Sequence, residues 1–344
     1  MSLPSLSYDP RAGRDAKSSR AIEWIPALGC WCAFEAGAIT AIFKSTNFIA
    51  PDFADWHRSL GRMGIDCSSV IEILSYVATA NEGKRHAEIR KNMARVIAAK
   101  GKSAKEAAER KLGELAQKCL RADKSVDLVR ELVRPVCDTL FESMLGVPLQ
   151  PDDGISASQI FDLYLSLNRR KKIVAKAGAM LKTYTMAQDR LATAPGYATA
   201  LKILGYDSLV GSLGGSILHV LKNAPGERLC DIAYPQTLPQ TGVPYVERFA
   251  AADCRLGDAD IKKGDRIRLY LDPGAQRDPA NAGECNFGRG RHSCIGEDLS
   301  SWLWGTLTET FSRLPLRFNI ESEARRKPDW VFTYYSSIVV HFHA

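Results

Sequence analysis

Residues 285–296, "CNFGRGRHSCIG", place glycines at 288, 290 and 296, arginines at 289 and 291 and a histidine at 292 around Cys294. A thiolate kept for metal binding must be deprotonated and shielded, and a helix N-terminus offers unpaired N–H groups that face the sulfur. Cys294 stands just ahead of a helical pattern that starts near Asp298. Gly288 and Gly290 allow a tight turn and a close approach to a flat ligand, and Gly296 leaves room on the other side. Phe287 is placed to cover the apolar flank of the sulfur, while Arg289, Arg291 and His292 are available for anions. Thiolate, close backbone and cations in one loop suit a heme, an iron porphyrin with two propionates.

Composition sets the outer limits. The chain has 344 residues, 45% of them hydrophobic, enough for a substantial core. Nine cysteines, an odd number without a regular framework, point to reduced thiols in a cytoplasmic protein rather than to disulfides. Residues 1–20 are polar and are read as a loosely held arm, with residues 21–344 as a single domain. Neither a signal-peptide core nor a run of about 18 apolar residues is present in the sequence. A net charge of +7 permits an acidic protein partner but does not indicate nucleic acid. The run "RRKK" at 169–172 reads as a solvated helix face.

Helical periodicity dominates the chain to about residue 225. "SAKEAAERKLGELAQKCL" opens with Ser103 and Glu106 in capping-box spacing, which predicts a helix start there. "DLVRELVRPVCDTLFESMLGVP" predicts a helix kinked at Pro135 and ended by Gly146. Residues 197–222 are apolar on nearly all sides and predict a buried central helix. After residue 249, turns at Gly257 and Gly264 with alternation at Ile267, Leu269 and Leu271 predict a small sheet. The expected fold class is mainly α with a minor β portion.

Phe287, Gly288, Gly290, His292, Cys294 and Gly296 fill the pattern F-G-x-G-x-H-x-C-x-G. On these residues the chain resembles the cytochrome P450 superfamily, soluble bacterial type. The resemblance implies that Cys294 ligates the iron of heme b (iron protoporphyrin IX). "EGKRHAEIRKNMARVI" is similar to the family's H-x-x-x-R helix, which implies propionate contacts from His86 and Arg90. Arg248 falls where many bacterial members carry a further propionate-binding arginine, and His292 is implied as a fourth contact. The central helix resembles the one that crosses the oxygen-binding face, with Asp207 and Ser208 as its acid and alcohol. In the family these side chains pass protons during oxygen activation.

The pattern also breaks. Where the family carries E-x-x-R, residues 234–242 read "YPQTLPQTG", with neither glutamate nor arginine. "AQRDP" at 275–279 resembles the family's A-N-R-D-P, but only seven residues separate Pro279 from Phe287, so the meander is shortened. Losing one member of a buried ion network costs about 3–5 kcal/mol, whereas losing all members need not. Leu204 stands where a small residue opens the helix toward oxygen, and the segment from Pro148 to Gly205 is short for the usual pair of lid (F/G) helices.

The resemblance implies a monooxygenase of a small organic or biosynthetic substrate, fed by a ferredoxin or flavodoxin with an NAD(P)H-dependent reductase. Lys84, Arg85, Lys91, Arg289 and Arg291 form the implied docking patch. Two alternatives stay open: a peroxide-dependent or non-oxygenative enzyme (dehydratase or isomerase), and a non-catalytic heme- or ligand-binding partner subunit. His341 and His343 read as solvent-facing tail residues, and Cys30 and Cys32 lack the further ligands of a zinc site.

Overall fold

The computed structural model describes residues 21–149, 157–162, 165–273, 276, 283–325, 332 and 334–344. The 1–20 arm and all of "AQRDP" except Gln276 lie outside the described residues. The elements run β1 (Ile22–Ile25), β2 (Cys30–Ala33), α1 (Ala36–Lys44), β3 (Phe48–Ile49), α2 (Phe53–Gly61), α3 (Ser68–Leu74), α4 (Gly83–Cys119) and β4 (Lys124–Asp127). They continue with α5 (Arg134–Leu145), α6 (Leu167–Met186), α7 (Pro195–Leu201), α8 (Asp207–Asn223), β5 (Tyr245–Ala250), β6 (Cys254–Leu256), β7 (Ala259–Ile261) and β8 (Arg266–Tyr270). α9 (Glu297–Ser312), β9 (Arg317–Arg325) and β10 (Tyr335–His343) complete the order. The architecture is mainly α with small sheets, as expected.

α4 is one helix of 37 residues, so Ser103 does not start a second one. Its hydroxyl bonds back to the Lys100 carbonyl at 3.0 Å. A single buried stripe through Ile89, Met93, Val96, Ala104, Ala108, Leu112 and Ala116 keeps the helix continuous, and this packing outweighs the local cap signal. The "RRKK" expectation is corrected at one position. Lys171 and Lys172 are exposed, but Arg170 is buried, its guanidinium 3.6 Å from the centre of the Trp56 ring and its Nε donating to the Leu165 carbonyl. The Pro135 irregularity takes the form of a π-turn over Leu128–Val133, which widens the helix ahead of the missing N–H.

The predicted central helix spans α7 and α8, joined by a second π-turn at Lys202–Tyr206. Between Pro148 and α7 the described residues hold one long helix, α6, and a short 3-10 turn at Ala157–Phe161, which fits the shortened lid.

The larger sheet has the order β1-β2-β8-β5-β3, with β2 and β8 parallel and the other pairs antiparallel. This sheet carries Arg248 on β5, in register with Ile267. Glu247 and Arg268 face each other in the next register pair, with Arg268 Nη2 2.9 Å from Glu247 Oε1 and Arg266 Nη1 3.7 Å from the same oxygen. A buried carboxylate flanked by two guanidinium groups is thus present in the sheet, although E-x-x-R is absent from 234–242.

Candidate functional site

Residues 283–296 form consecutive turns that lead into α9, whose N-cap is Gly296. The Cys294 N–H donates to the Phe287 carbonyl at 2.7 Å and the Gly288 N–H to the Cys285 carbonyl at 2.8 Å, so the backbone closes on itself. Gly288 and Gly290 have φ of 65° and 69°, and a Cβ on Gly290 would lie 2.6 Å from the Phe43 carbonyl. That turn therefore docks against the end of α1 as only glycine permits. Phe287 is half-buried and packs on the main core.

The Gly296 N–H points at the sulfur, 3.3 Å from Cys294 Sγ. Burial nevertheless pushes the Cys294 thiol up, with Glu297 adding to the rise, while the Gly296 N–H and Arg90 pull the other way. The helix-terminus effect expected from the sequence is present but outweighed by burial. Cys294 is solvent-reachable although protein surrounds it closely enough to desolvate it, so the sulfur lines a recess rather than the outer surface.

Beside this loop the structure gathers His86, Arg90, Arg248 and His292. The rings of His86 and His292 are 4.3 Å apart between centroids. Arg90 Nη1 donates to the Ser293 carbonyl at 2.6 Å, tying α4 to the residue before Cys294. Arg248 is 6% exposed, donates to the Glu247 carbonyl at 2.7 Å, and is brought down to about 10 by burial. His292 is brought down to about 4, mainly by burial and then by Arg248. Burial followed by Arg90 also lowers His86.

The polar atoms that lack partners are informative. His86 Nε2 and His292 Nδ1 are buried without a hydrogen-bond partner, and Arg248 forms no ion pair among the described residues. Buried polar atoms and a buried guanidinium left this way cost free energy unless a ligand completes them. Two imidazoles and two guanidinium groups beside a recessed cysteine fit a flat group with two carboxylates, so the residues present fit heme.

Asp207 and Ser208 occupy a different element, the start of α8. Asp207 Oδ2 accepts from Ser158 Oγ at 3.3 Å. Ser208 Oγ lies 2.7 Å from the Leu204 carbonyl and 3.0 Å from that of Gly205, so its proton is used inside the π-turn. Leu204, which stands where the family has a small residue, lies in the π-turn at Lys202–Tyr206.

Sequence reasoning missed Glu82. This N-cap of α4 accepts from the Ala50 N–H at 2.9 Å and from His292 Nε2 at 3.1 Å, and its Oε2 lies 3.1 Å from Arg291 Nε. Its position one turn before His86 was the available signal. Asn286 was also missed: its Nδ2 donates to the Leu238 carbonyl at 3.0 Å, joining the Cys294 loop to the stretch that replaces E-x-x-R.

His341 and His343 stack 6.2 Å apart on β10, and no cluster of three metal-ligating side chains occurs among the described residues. Nor is any described helix long and apolar enough to cross a membrane.

A P450 fold is what these elements and the cysteine loop define. The chain superposes on CalO2 with a TM-score of 0.72 at 16% identity, covering 94% of this chain and 93% of that one. P450BioI, solved with an acyl carrier protein ligated to hexadec-9Z-enoic acid, gives 0.69 at 16% identity over 91% and 92%. Epothilone B-bound cytochrome P450epoK gives 0.69 at 16% over 94% of each chain. No protein-family profile and no curated protein matches the sequence.

Proposed function

We propose that this protein is a heme-thiolate oxidase with Cys294 as axial ligand, acting as a monooxygenase that inserts one oxygen atom of O2 into a small organic or biosynthetic substrate. The observation that carries this reading is the pair of buried ring nitrogens without a partner, His86 Nε2 and His292 Nδ1, together with the buried Arg248 guanidinium, which has no carboxylate partner among the described residues, beside the recessed sulfur. Heme b, when bound, supplies the one-electron and oxygen chemistry, tuned by its thiolate.

The chain's own residues bind, orient and handle protons. Arg90 and Arg248 would neutralise the two carboxylates, with His86 and His292 beside them, and Phe287 would line the apolar flank of the sulfur in a loop that Gly288 and Gly290 dock against α1. The Gly296 N–H holds the sulfur by donating to it, which also withdraws electron density from the ligand. Asp207 is the proton carrier, with Ser158 as the neighbour that orients its carboxylate. Ser208 passes a proton by rotating its hydroxyl away from the Leu204 and Gly205 carbonyls.

The protein acts as one cytoplasmic domain over residues 21–344. Electrons come from a ferredoxin or flavodoxin and its NAD(P)H-dependent reductase. Arg85 and Arg291 are engaged by Glu88 and Glu82, so Lys84, Lys91 and Arg289 carry the docking. The neighbours solved with an acyl carrier protein ligated to hexadec-9Z-enoic acid and with epothilone B support including carrier-bound acyl chains and biosynthetic products among the substrates tested.

One observation favours a second reading, a peroxide-dependent or non-oxygenative enzyme: the Ser208 proton is already committed within its helix. Turnover assays separate the two. Product formation with reduced ferredoxin, lost in Asp207→Asn, supports the monooxygenase; product with peroxide alone, unchanged in Asp207→Asn, replaces it.

A further inference from the structure

We propose that Glu82 is a positioning residue for the anion-binding side of this site, acting through His292. This rests on the heme-thiolate reading for its purpose, but not for its geometry. Glu82 joins three segments that are far apart in sequence: the backbone after β3 through the Ala50 N–H, the turn before Cys294 through His292 and Arg291, and α4 as its N-cap. Among the described residues it is the carboxylate that both His292 and Arg291 contact.

An ionised carboxylate only accepts, so its contact with Nε2 places a proton there and holds the ring against His86, with Nδ1 buried and without a partner as its other polar atom. The same carboxylate lies 3.1 Å from Arg291 Nε, and Arg291 Nη2 also donates to the Phe48 carbonyl at 2.8 Å. Glu82 thus holds both Arg291 and the His292 ring in place beside His86 and Arg248. Without it His292 is free to turn, and Arg291 can fall into the space that His292 should address. Residues that orient a ligand-holding histidine in this way typically change affinity by about 10- to 100-fold when removed.

The test is a double-mutant cycle read as heme dissociation from the full-length protein into excess apomyoglobin. Glu82→Ala is expected to speed heme loss at least tenfold, and Glu82→Gln, whose carbonyl still accepts from Nε2, to return it to within about threefold of wild type. In a His292→Ala background, Glu82→Ala is expected to add nothing, because its effect runs through the ring. Additive losses, no effect of Glu82→Ala, or no rescue by glutamine would overturn the proposal in favour of a plain helix cap. A second measurement needs no heme. In the apoprotein, a slowly exchanging His292 Nε2–H resonance should appear in wild type and Glu82→Gln and vanish in Glu82→Ala. Its absence from wild type overturns the positioning role, whereas failure of wild type to take up heme overturns only the heme-thiolate reading.

Discussion

Beside the Cys294 loop, His86 Nε2 and His292 Nδ1 are buried without a partner and Arg248 is buried without an ion pair among the described residues, whereas the nearby stretch 232–244, which lacks E-x-x-R, is held by backbone contacts. In that stretch the Leu238 carbonyl accepts from Asn286, the Pro235 carbonyl from Trp304 Nε1 at 2.8 Å, and the Gly242 N–H donates to Ser212 Oγ at 2.8 Å. Every one of these contacts is satisfied by the chain itself. The difference separates groups held for a ligand from groups held for the fold. A scaffold can trade ions for neutral hydrogen bonds at small net cost, because a buried ion pair barely repays its desolvation. A cluster that binds heme, as proposed, cannot, since its charges would match a partner outside the chain.

The sharpest way to break this comparison is Arg248→Met. Heme affinity is expected to fall by roughly 10- to 100-fold, while the apoprotein gains about 1 kcal/mol, because a buried cation without a counter-ion is removed. Heme titration and apoprotein melting check the two signs separately. Equal losses in both would make Arg248 an ordinary structural residue.

Gly242→Ala probes the other region. A Cβ there would lie 2.3 Å from the Ser208 carbonyl, backbone against backbone, so about 1–3 kcal/mol of stability should be lost in denaturant unfolding. A neutral result would mean that 232–244 is not packed on α8 as described.

The smallest expected effect is a pH dependence at His57, which is buried, 2.9 Å from the Ile160 carbonyl through Nε2, and held below its ordinary 6.5 by burial. The unfolded chain therefore binds a proton that the native state resists, and stability falls as pH drops below 6.5. His57→Gln should flatten part of that slope in melts at successive pH values. An unchanged slope would assign it to other groups.

The turn geometry of residues 285–296 was legible, because glycines with positive φ and a cysteine before a helix are written in adjacent positions. His86 and Arg90 were legible as one helical turn, and the central helix was found within two residues of α7 and α8. What stayed hidden depends on partners distant in sequence. Glu82 meets His292 across 210 positions, and Arg170 leaves the solvated face of "RRKK" only because Trp56 waits beneath it. Ser103 and Glu106 looked like a helix start because capping is local, whereas the stripe that carries α4 through them is tertiary. The Glu247–Arg266–Arg268 group escaped notice because an alternating strand does not announce which side its charges face.

The account turns on Cys294 being the ligand of a heme held by the neighbouring cluster. Purified protein supplied with heme, reduced without oxygen and exposed to carbon monoxide should give a red-shifted, thiolate-type Soret band, and Cys294→Ala should lose it. A spectrum identical in the mutant, or a wild-type chain that retains no heme, would contradict the account.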